Sequence, residues 1–333
     1  MQFCTDGIFF FACCSKSPTQ EHTWDVDAST LSVDTVSTYP YLFQSDLIFR
    51  DGLIMSVDPQ NAETVFAVDT RTGQKTYYST SDSLRGLNPA VFPFSFYHFV
   101  TGKYYQYTLQ EGHLTITKHN FRFRGLKINR VNQISKDKYV MLGFFRKGLF
   151  GLYNTKRPKE MTYHGRYPLS VPLPPDRHGM ESIVQDFQGE MDYSAEHARV
   201  VYCSSSFAYI SCYKVSGSEL KFEWEHHIIP PPEVSVIGGL LKRDTVSMRG
   251  GFLDVKIAGK YIFALYGQRD IANPASIYER NLLVFDINGV CLATYPVDFP
   301  LSQIAVDLEE KTIYGRSYAD VPIIVRLRFD RNK

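Results

Sequence analysis

The sequence predicts an all-β protein, a six-bladed β-propeller with four antiparallel strands per blade. Three observations carry this. First, an alternating apolar or aromatic run ending in a polar turn recurs six times: TVFAVDTRTGQ (64–74), KYYQYTLQEGH (103–113), GLFGLYNTKR (148–157), AYISCYKVSGSE (208–219), NLLVFDINGV (281–290) and PIIVRLRFD (322–330). Second, the aromatic fraction is 14%, with 22 Tyr and 24 Phe, and such side chains fit a pleated, half-buried surface. Third, no stretch holds a helical period. The length of 333 residues accommodates six units of about 40–50 residues each.

Each blade is written as strands A to D from the inside outward. Blade one runs through LIMSVD, VFAVDT and KTYYST, with Thr72-Gly73 at its outer turn. Blade two, around FPFSFYHF and YYQYTL, is the least regular. Blade three reads INRVNQIS, KYVMLGFF, LFGLYNT and EMTYHG; blade four reads GEMDYS, RVVYCSS, YISCYKV and LKFEWEH. Blade five reads GFLDVKI, YIFALYG, LLVFDI and CLATYPV, and its Asn288-Gly289 suits the left-handed angles of a tight turn. Blade six supplies three strands, SQIAVDL, TIYGRSY and PIIVRLRF. A propeller must close to remove its sheet edges, so the orphan alternating segment TLSVDTVSTY (30–39) is expected to complete blade six as its outermost strand. The organisation expected is a lipoprotein signal-like segment over 1–14, a polar tether over 15–28 and the propeller over 29–333.

Three connections are long: 165–186, 228–249 and 268–280. The first two join D to A of the next blade and the third joins B to C. These connections emerge at one end of a propeller, which is where binding loops on a rigid scaffold are expected.

The segments VNQISKDKYVMLGFFRKGLFGLYN and YHGRYP, then GEMDYSAEHARVVYCSSSFAYISCYKV, KYIFALYG, NLLVFDINGV and EEKTIYGRS, resemble the TolB-like six-bladed propellers of Gram-negative envelope lipoproteins. The resemblance spans about residues 40–330. It implies a propeller, commonly lipid-anchored and without an assigned activity, and it carries over no catalytic residue. The single Trp-Asp pair, Trp24-Asp25, lies outside the blades, and Gly-Gly occurs only at 238–239 and 250–251, so WD and kelch repeats fit poorly.

The chemistry legible in the chain is modest. Lys and Arg number 36 against 35 acidic residues, a net charge of +1 that gives no argument for a nucleic-acid or strongly acidic partner, and no nucleic-acid partner is expected. No GxSxG elbow, phosphate loop, HExxH or EF-hand loop is present, so no catalytic, cofactor or metal residue is assigned. Cys203, Cys212 and Cys291 are expected to be buried free thiols, and no Cys-x-x-Cys pair suggests structural zinc. Six histidines, His98, His119, His164, His178, His226 and His227, fall at strand ends or connections assigned to the loop-rich end. Histidine there suits metal ligation or proton transfer, although polar residues gather at strand ends in any fold. Arg122, Arg124, Lys127 and Arg130 occupy the connection between blades two and three, and Arg146 and Lys147 a turn at the same end. The candidate ligand-face residues are therefore Arg122, Arg124, Arg130, Arg146, His178, His226 and His227. Arginine forks pair planar anions, so the mouth they form suits an anionic glycan or an acidic protein; the plainer alternative is solvated loop charge. The aspartates of the A strands, Asp192 and Asp254, are placed to line the channel but are given no role.

The function expected is a non-catalytic binding or scaffolding propeller at the bacterial cell envelope, recognising a protein or glycan through its loop-rich face. The alternative is a propeller hydrolase or lyase acting on carbohydrate at the channel mouth. The run IFFFACCSKS (8–17) resembles the end of a lipoprotein signal, with Ala12 before Cys13 as the acylated residue and Cys14 as the alternative. Mass spectrometry of membrane-extracted protein is expected to show a diacylated or triacylated cysteine; complete recovery in the soluble fraction with Met1 intact refutes the anchor.

Overall fold

The computed structural model describes residues 30–39, 46–57, 64–79, 87–90, 95–98, 103–110, 113–120, 128–168, 184–228, 234–237, 240–243, 250–269, 277–318 and 321–330. The signal-like segment, the tether, Cys13 and Cys14 lie outside them.

Strand β1 (Thr30–Thr38) precedes a series of antiparallel sheets. The first comprises β2 (Ile48–Arg50), β3 (Leu53–Val57), β4 (Thr64–Asp69) and β5 (Lys75–Ser79), in that order. The second comprises β6 (Leu87–Ala90), β7 (Ser95–His98), β8 (Lys103–Gln110) and β9 (His113–Asn120). The third holds β10 (Ile128–Ser135), β11 (Lys138–Gly143), β12 (Phe150–Asn154) and β13 (Thr162–His164). The fourth holds β14 (Gly189–Ser194), β15 (Arg199–Ser204), β16 (Tyr209–Ser216) and β17 (Glu219–His227). A two-stranded hairpin follows, β18 (Val234–Ile237) with β19 (Leu240–Arg243). The fifth sheet holds β20 (Gly250–Ala258), β21 (Tyr261–Arg269), β22 (Ile277–Asp286) and β23 (Cys291–Pro296). The chain ends in β24 (Leu301–Asp307), β25 (Thr312–Tyr318) and β26 (Pro322–Asp330).

These sheets correct the expectation of a six-bladed propeller. Contiguous chain completes five blades. The remaining sheet, of order β1–β26–β25–β24, is a composite of both chain ends and not a unit of the sequence. In it β1 pairs along β26 from Thr30↔Asp330 to Thr38↔Ile323, and Tyr39 N–H donates to Pro322 O at 2.6 Å. The recurring runs of the sequence become β4, β8, β12, β16, β22 and β26, each the third strand of its sheet. The innermost strands touch in a closed cycle, β10 with β6 and β14, β20 with β14 and β24, and β24 with β2, while β6 meets the first sheet at β3.

The connections also differ from expectation. Residues 228–249 contain the β18–β19 hairpin. Residues 268–269 and 277–280 extend a ladder, with Gln268↔Glu279 and Arg269↔Ile277 paired.

Alternation along each strand divides its side chains between two seams. In β21, Tyr261, Phe263 and Leu265 face the composite sheet with Leu301, Ile304 and Val325. Ile262, Ala264 and Tyr266 face the fourth blade with Val201, Cys203 and Ile210. Both faces are buried, so these strands read as nearly continuous apolar runs. Each large apolar side chain placed in a seam contributes about 1.5–3 kcal/mol relative to exposure. The close approach of neighbouring sheets requires glycine at Gly251, where a Cβ would lie 2.1 Å from Ser205 O. Outer turns are organised by the residue ending the third strand. Asp69 Oδ1 accepts from Arg71 and Thr72 N–H at 2.9 and 2.8 Å, and Asp286 Oδ1 accepts from Asn288 and Val290 N–H at 2.9 and 2.8 Å. Only the second residue of Asn288-Gly289, Gly289 at φ 90°, is left-handed.

Deleting residues 29–40 leaves β26 as an unpaired edge and uncovers its seam. The variant is expected to lose the cooperative thermal transition or to aggregate, as read by circular dichroism and light scattering; unchanged melting contradicts the closure.

Candidate functional site

The innermost strands carry acids, amides and bases among apolar residues, and ring closure brings them together. Bulges decide which of them reach the centre. One extra residue interrupts the ladder between Ile128 and Arg130 in β10, between Phe252 and Asp254 in β20, and between Leu301 and Gln303 in β24. A bulge re-aims the side chain that follows it, and Arg130, Asp254 and Gln303 each stand just after one.

Arg130 forks onto Glu190 of β14, with Nε–Oε2 at 2.7 Å and Nη2–Oε1 at 2.5 Å, and it lies 4.0 Å from Asp46, in the approach to β2. Gln303 Nε2–H donates to Asp46 Oδ1 at 2.5 Å. Lys256 Nζ reaches Asp254 Oδ1 at 2.7 Å. Four carboxylates, Asp46, Glu190, Asp192 and Asp254, thus face two cations, Arg130 and Lys256. Burial pushes Glu190 up, against the opposing pull of Arg130 and with Asp46 adding to the rise. Burial likewise raises Asp192 and Asp254, against the pull of Lys256. Burial opposes the charge on Lys256, yet Asp254, Asp46 and Asp192 together hold it above its ordinary value.

The same strands are stapled to their neighbours by a repeated device. Asp192 Oδ2 accepts from Ile257 N–H of β20 at 2.7 Å, and Asp254 Oδ2 accepts from Ile304 N–H of β24 at 2.9 Å. With its amide in the satisfied orientation, Asn132 accepts from Tyr193 N–H of β14 at 3.1 Å. A recess of about 110 Å³ beside Asp192 and Lys256 opens among Leu47, Ile48, Ala305 and Val306.

A larger cleft, about 910 Å³, lies between the first blade and the composite sheet. It is bounded by Asp51, Thr70 and Arg71 on one side and by the turn 308–311 on the other. Phe49 stacks on Tyr314 at 5.6 Å and 19°, and the Arg326 guanidinium lies 5.7 Å from the Tyr314 ring centre. These walls include A–B and C–D turns, so the cleft opens at the end opposite the long connections.

The sequence-based candidates separate. Arg130 is buried in the channel, with its side chain 14% exposed. Arg146 is exposed on its turn. His226 sits in an outer seam: its Nε2–H donates to Gly289 O at 2.7 Å and its ring stacks on Phe285 at 5.5 Å. His227 lies against the Tyr209 ring at 4.9 Å, with Glu225 Oε1 at 3.8 Å. Arg122, Arg124 and His178 lie outside the described residues. His197 Nε2–H donates to Gly259 O at 3.0 Å and His164 Nδ1 accepts from Leu220 N–H at 3.4 Å, so three histidines fasten adjacent blades. Cys203, Cys212 and Cys291 are free and buried; burial pushes the Cys203 thiol up and takes Cys212 to about 12. The sequence reading missed Asp46, Glu190, Lys256 and Gln303. Their one signal is a charged or amide residue inside an otherwise apolar innermost strand.

No family model matches the chain, and no curated protein matches it. Solved structures do. A member of the DUF4221 family from Bacteroides vulgatus shares 8% identity at a TM-score of 0.57, covering 92% of this chain and 100% of that one. A putative exported protein from Bacteroides fragilis shares 10% at 0.53, covering 92% and 98%. Virginiamycin B lyase from Staphylococcus aureus shares 8% at 0.50, covering 90% and 100%. At these identities the likenesses establish the β-propeller fold.

The raised carboxyls set a pH dependence. A carboxyl whose folded pKa exceeds its unfolded value supports folding in its protonated form; that support is full below the unfolded value, about 4, and is lost as pH rises through the folded value. Glu190→Gln removes one such group. The fall in urea midpoint from pH 5 to pH 8 is expected to be smaller in the variant than in the parent protein, and equal falls refute the assignment.

Proposed function

We propose that this chain is a non-catalytic binding or scaffolding propeller of the bacterial cell envelope. The observation that carries this reading is the commitment of the channel's charges to one another. Arg130 holds Glu190, Lys256 holds Asp254, and Asp192 and Asp254 hold backbone N–H groups of adjacent blades. Groups so occupied are poor general acids, bases or nucleophiles, because chemistry requires breaking a buried ion pair, at a cost of about 3–5 kcal/mol when one partner is lost. The free thiols are held in their unreactive form by burial.

Envelope placement draws support from the exported Bacteroides fragilis neighbour and from the signal-like segment before Cys13. The TolB-like character of the blade strands belongs to the same reading. Among the described residues no helix is long and apolar enough to cross a membrane. The partner proposed is an anionic glycan or an acidic protein surface, met through arginine and lysine side chains.

A propeller hydrolase or lyase is the second reading, and the fold likeness to a lyase is the observation that favours it. It fits the channel less well. The recess beside Asp192 and Lys256 is about 110 Å³, below the roughly 300–1,000 Å³ of ordinary small-ligand sites.

Immobilised full-length protein should retain carboxylated or sulfated glycans at low salt, weaken in retention as salt rises, and release no new reducing ends or unsaturated products. Retention insensitive to salt, or none at all, counts against the binding reading, and product formation replaces it with the enzyme.

A further inference from the structure

We infer that the 910 Å³ cleft between the first blade and the composite sheet is a binding site for a carboxylated saccharide, with Arg326 as its anion anchor. The proposal deepens the binding reading above and assigns it a pocket at the end opposite the long connections.

Arg326 is set apart by its partners. The interior arginines Arg130 and Arg199 are each forked onto a glutamate, Glu190 and Glu223 respectively. Arg326 instead donates through Nη2 to Thr70 O and lies over the Tyr314 ring. Its buried Nε–H has no acceptor, and no described carboxylate forms an ion pair with it. A guanidinium remains charged at all relevant pH and presents a planar fork. A buried donor without an acceptor is unfavourable, so a ligand oxygen reaching it gains affinity. Arg326 also lines the 910 Å³ cleft, so a turn of the guanidinium toward the opening brings its Nε–H to a ligand oxygen.

The rim decides the rest of the ligand. Arg71 and Lys311 stand near Asp51, Glu309 and Glu310 around the opening. A polyanion meets repulsion from those acids, whereas sugar hydroxyls donate to carboxylates and accept from the cations. One carboxylate carried on a polyol satisfies both the anchor and the rim. The volume matches a ligand of one or two sugar rings. Thr70 and the 308–311 turn, from adjacent blades, bound the site, so ligand binding also clamps the seam that closes the ring.

The test is calorimetric titration of the full chain with glucuronate, its β-linked disaccharide, glucose and inorganic phosphate. The uronates are expected to bind with glucose at least tenfold weaker, and Arg326→Gln is expected to weaken uronate binding at least tenfold while retaining the parent's circular dichroism. Should that variant fail to fold, Lys311→Gln on the exposed rim and Arg326→Lys provide the same readout, each with a smaller loss. Phosphate binding as tight as the uronates identifies a simple anion site and overturns the saccharide. Uronate binding unchanged in Arg326→Gln overturns this cleft but leaves the binding reading standing; salt-sensitive glycan retention with no uronate titration does the same. Absence of any glycan binding by the parent protein removes both.

Discussion

The antiparallel ladder between β1 and β26 joins residues nearly three hundred positions apart, and the arrangement of chemistry in this protein follows from it. Without β1 the composite sheet has three strands and an open edge. With it, Tyr39 is carried into the seam between the composite sheet and the first blade, where its hydroxyl bonds Ser56 Oγ at 2.5 Å and its ring packs edge-on to Phe66. Asp46 stands beside Gln303 and Arg130. The same closure brings Phe49 onto Tyr314 and opens the cleft above them. Channel network and cleft are both products of one strand pairing.

The buried charges of the channel fasten neighbouring blades to one another. Each staple runs from one inner strand to the next, so the polar interior is a belt that sets the spacing of blades whose outer parts are held by apolar packing. Buried ion pairs give little net stability compared with well-packed apolar groups, but a half-broken pair is costly. Such a belt therefore penalises misplaced blades more than it strengthens the correct arrangement.

Histidines illustrate how location changes meaning. His197 and His226 each donate to a glycine carbonyl in a turn of the next blade, and His164 accepts from the next blade's outer strand. Those contacts fix the orientation of each ring. Arg326 at the cleft differs, having no carboxylate counter-ion among the described residues.

The sequence by itself determined the strands. Alternation has a period of two residues and is local, so the recurring runs marked third strands, and the orphan run at 30–39 found its partner by elimination of every other edge. Thr72-Gly73 and Asn288-Gly289 after two such runs marked their turns. What only the tertiary structure decided is which side chains meet. Arg130 looked like a loop cation at the mouth, and Asp192 and Asp254 had no readable phase, because a bulge of one residue before Arg130, Asp254 and Gln303 resets the alternation without leaving a mark in composition. His226 looked like a face residue, but its strand leans over the neighbouring blade. Local periodicity follows from backbone geometry, whereas convergence at the channel and the cleft depends on register, bulges and closure between residues far apart in the chain.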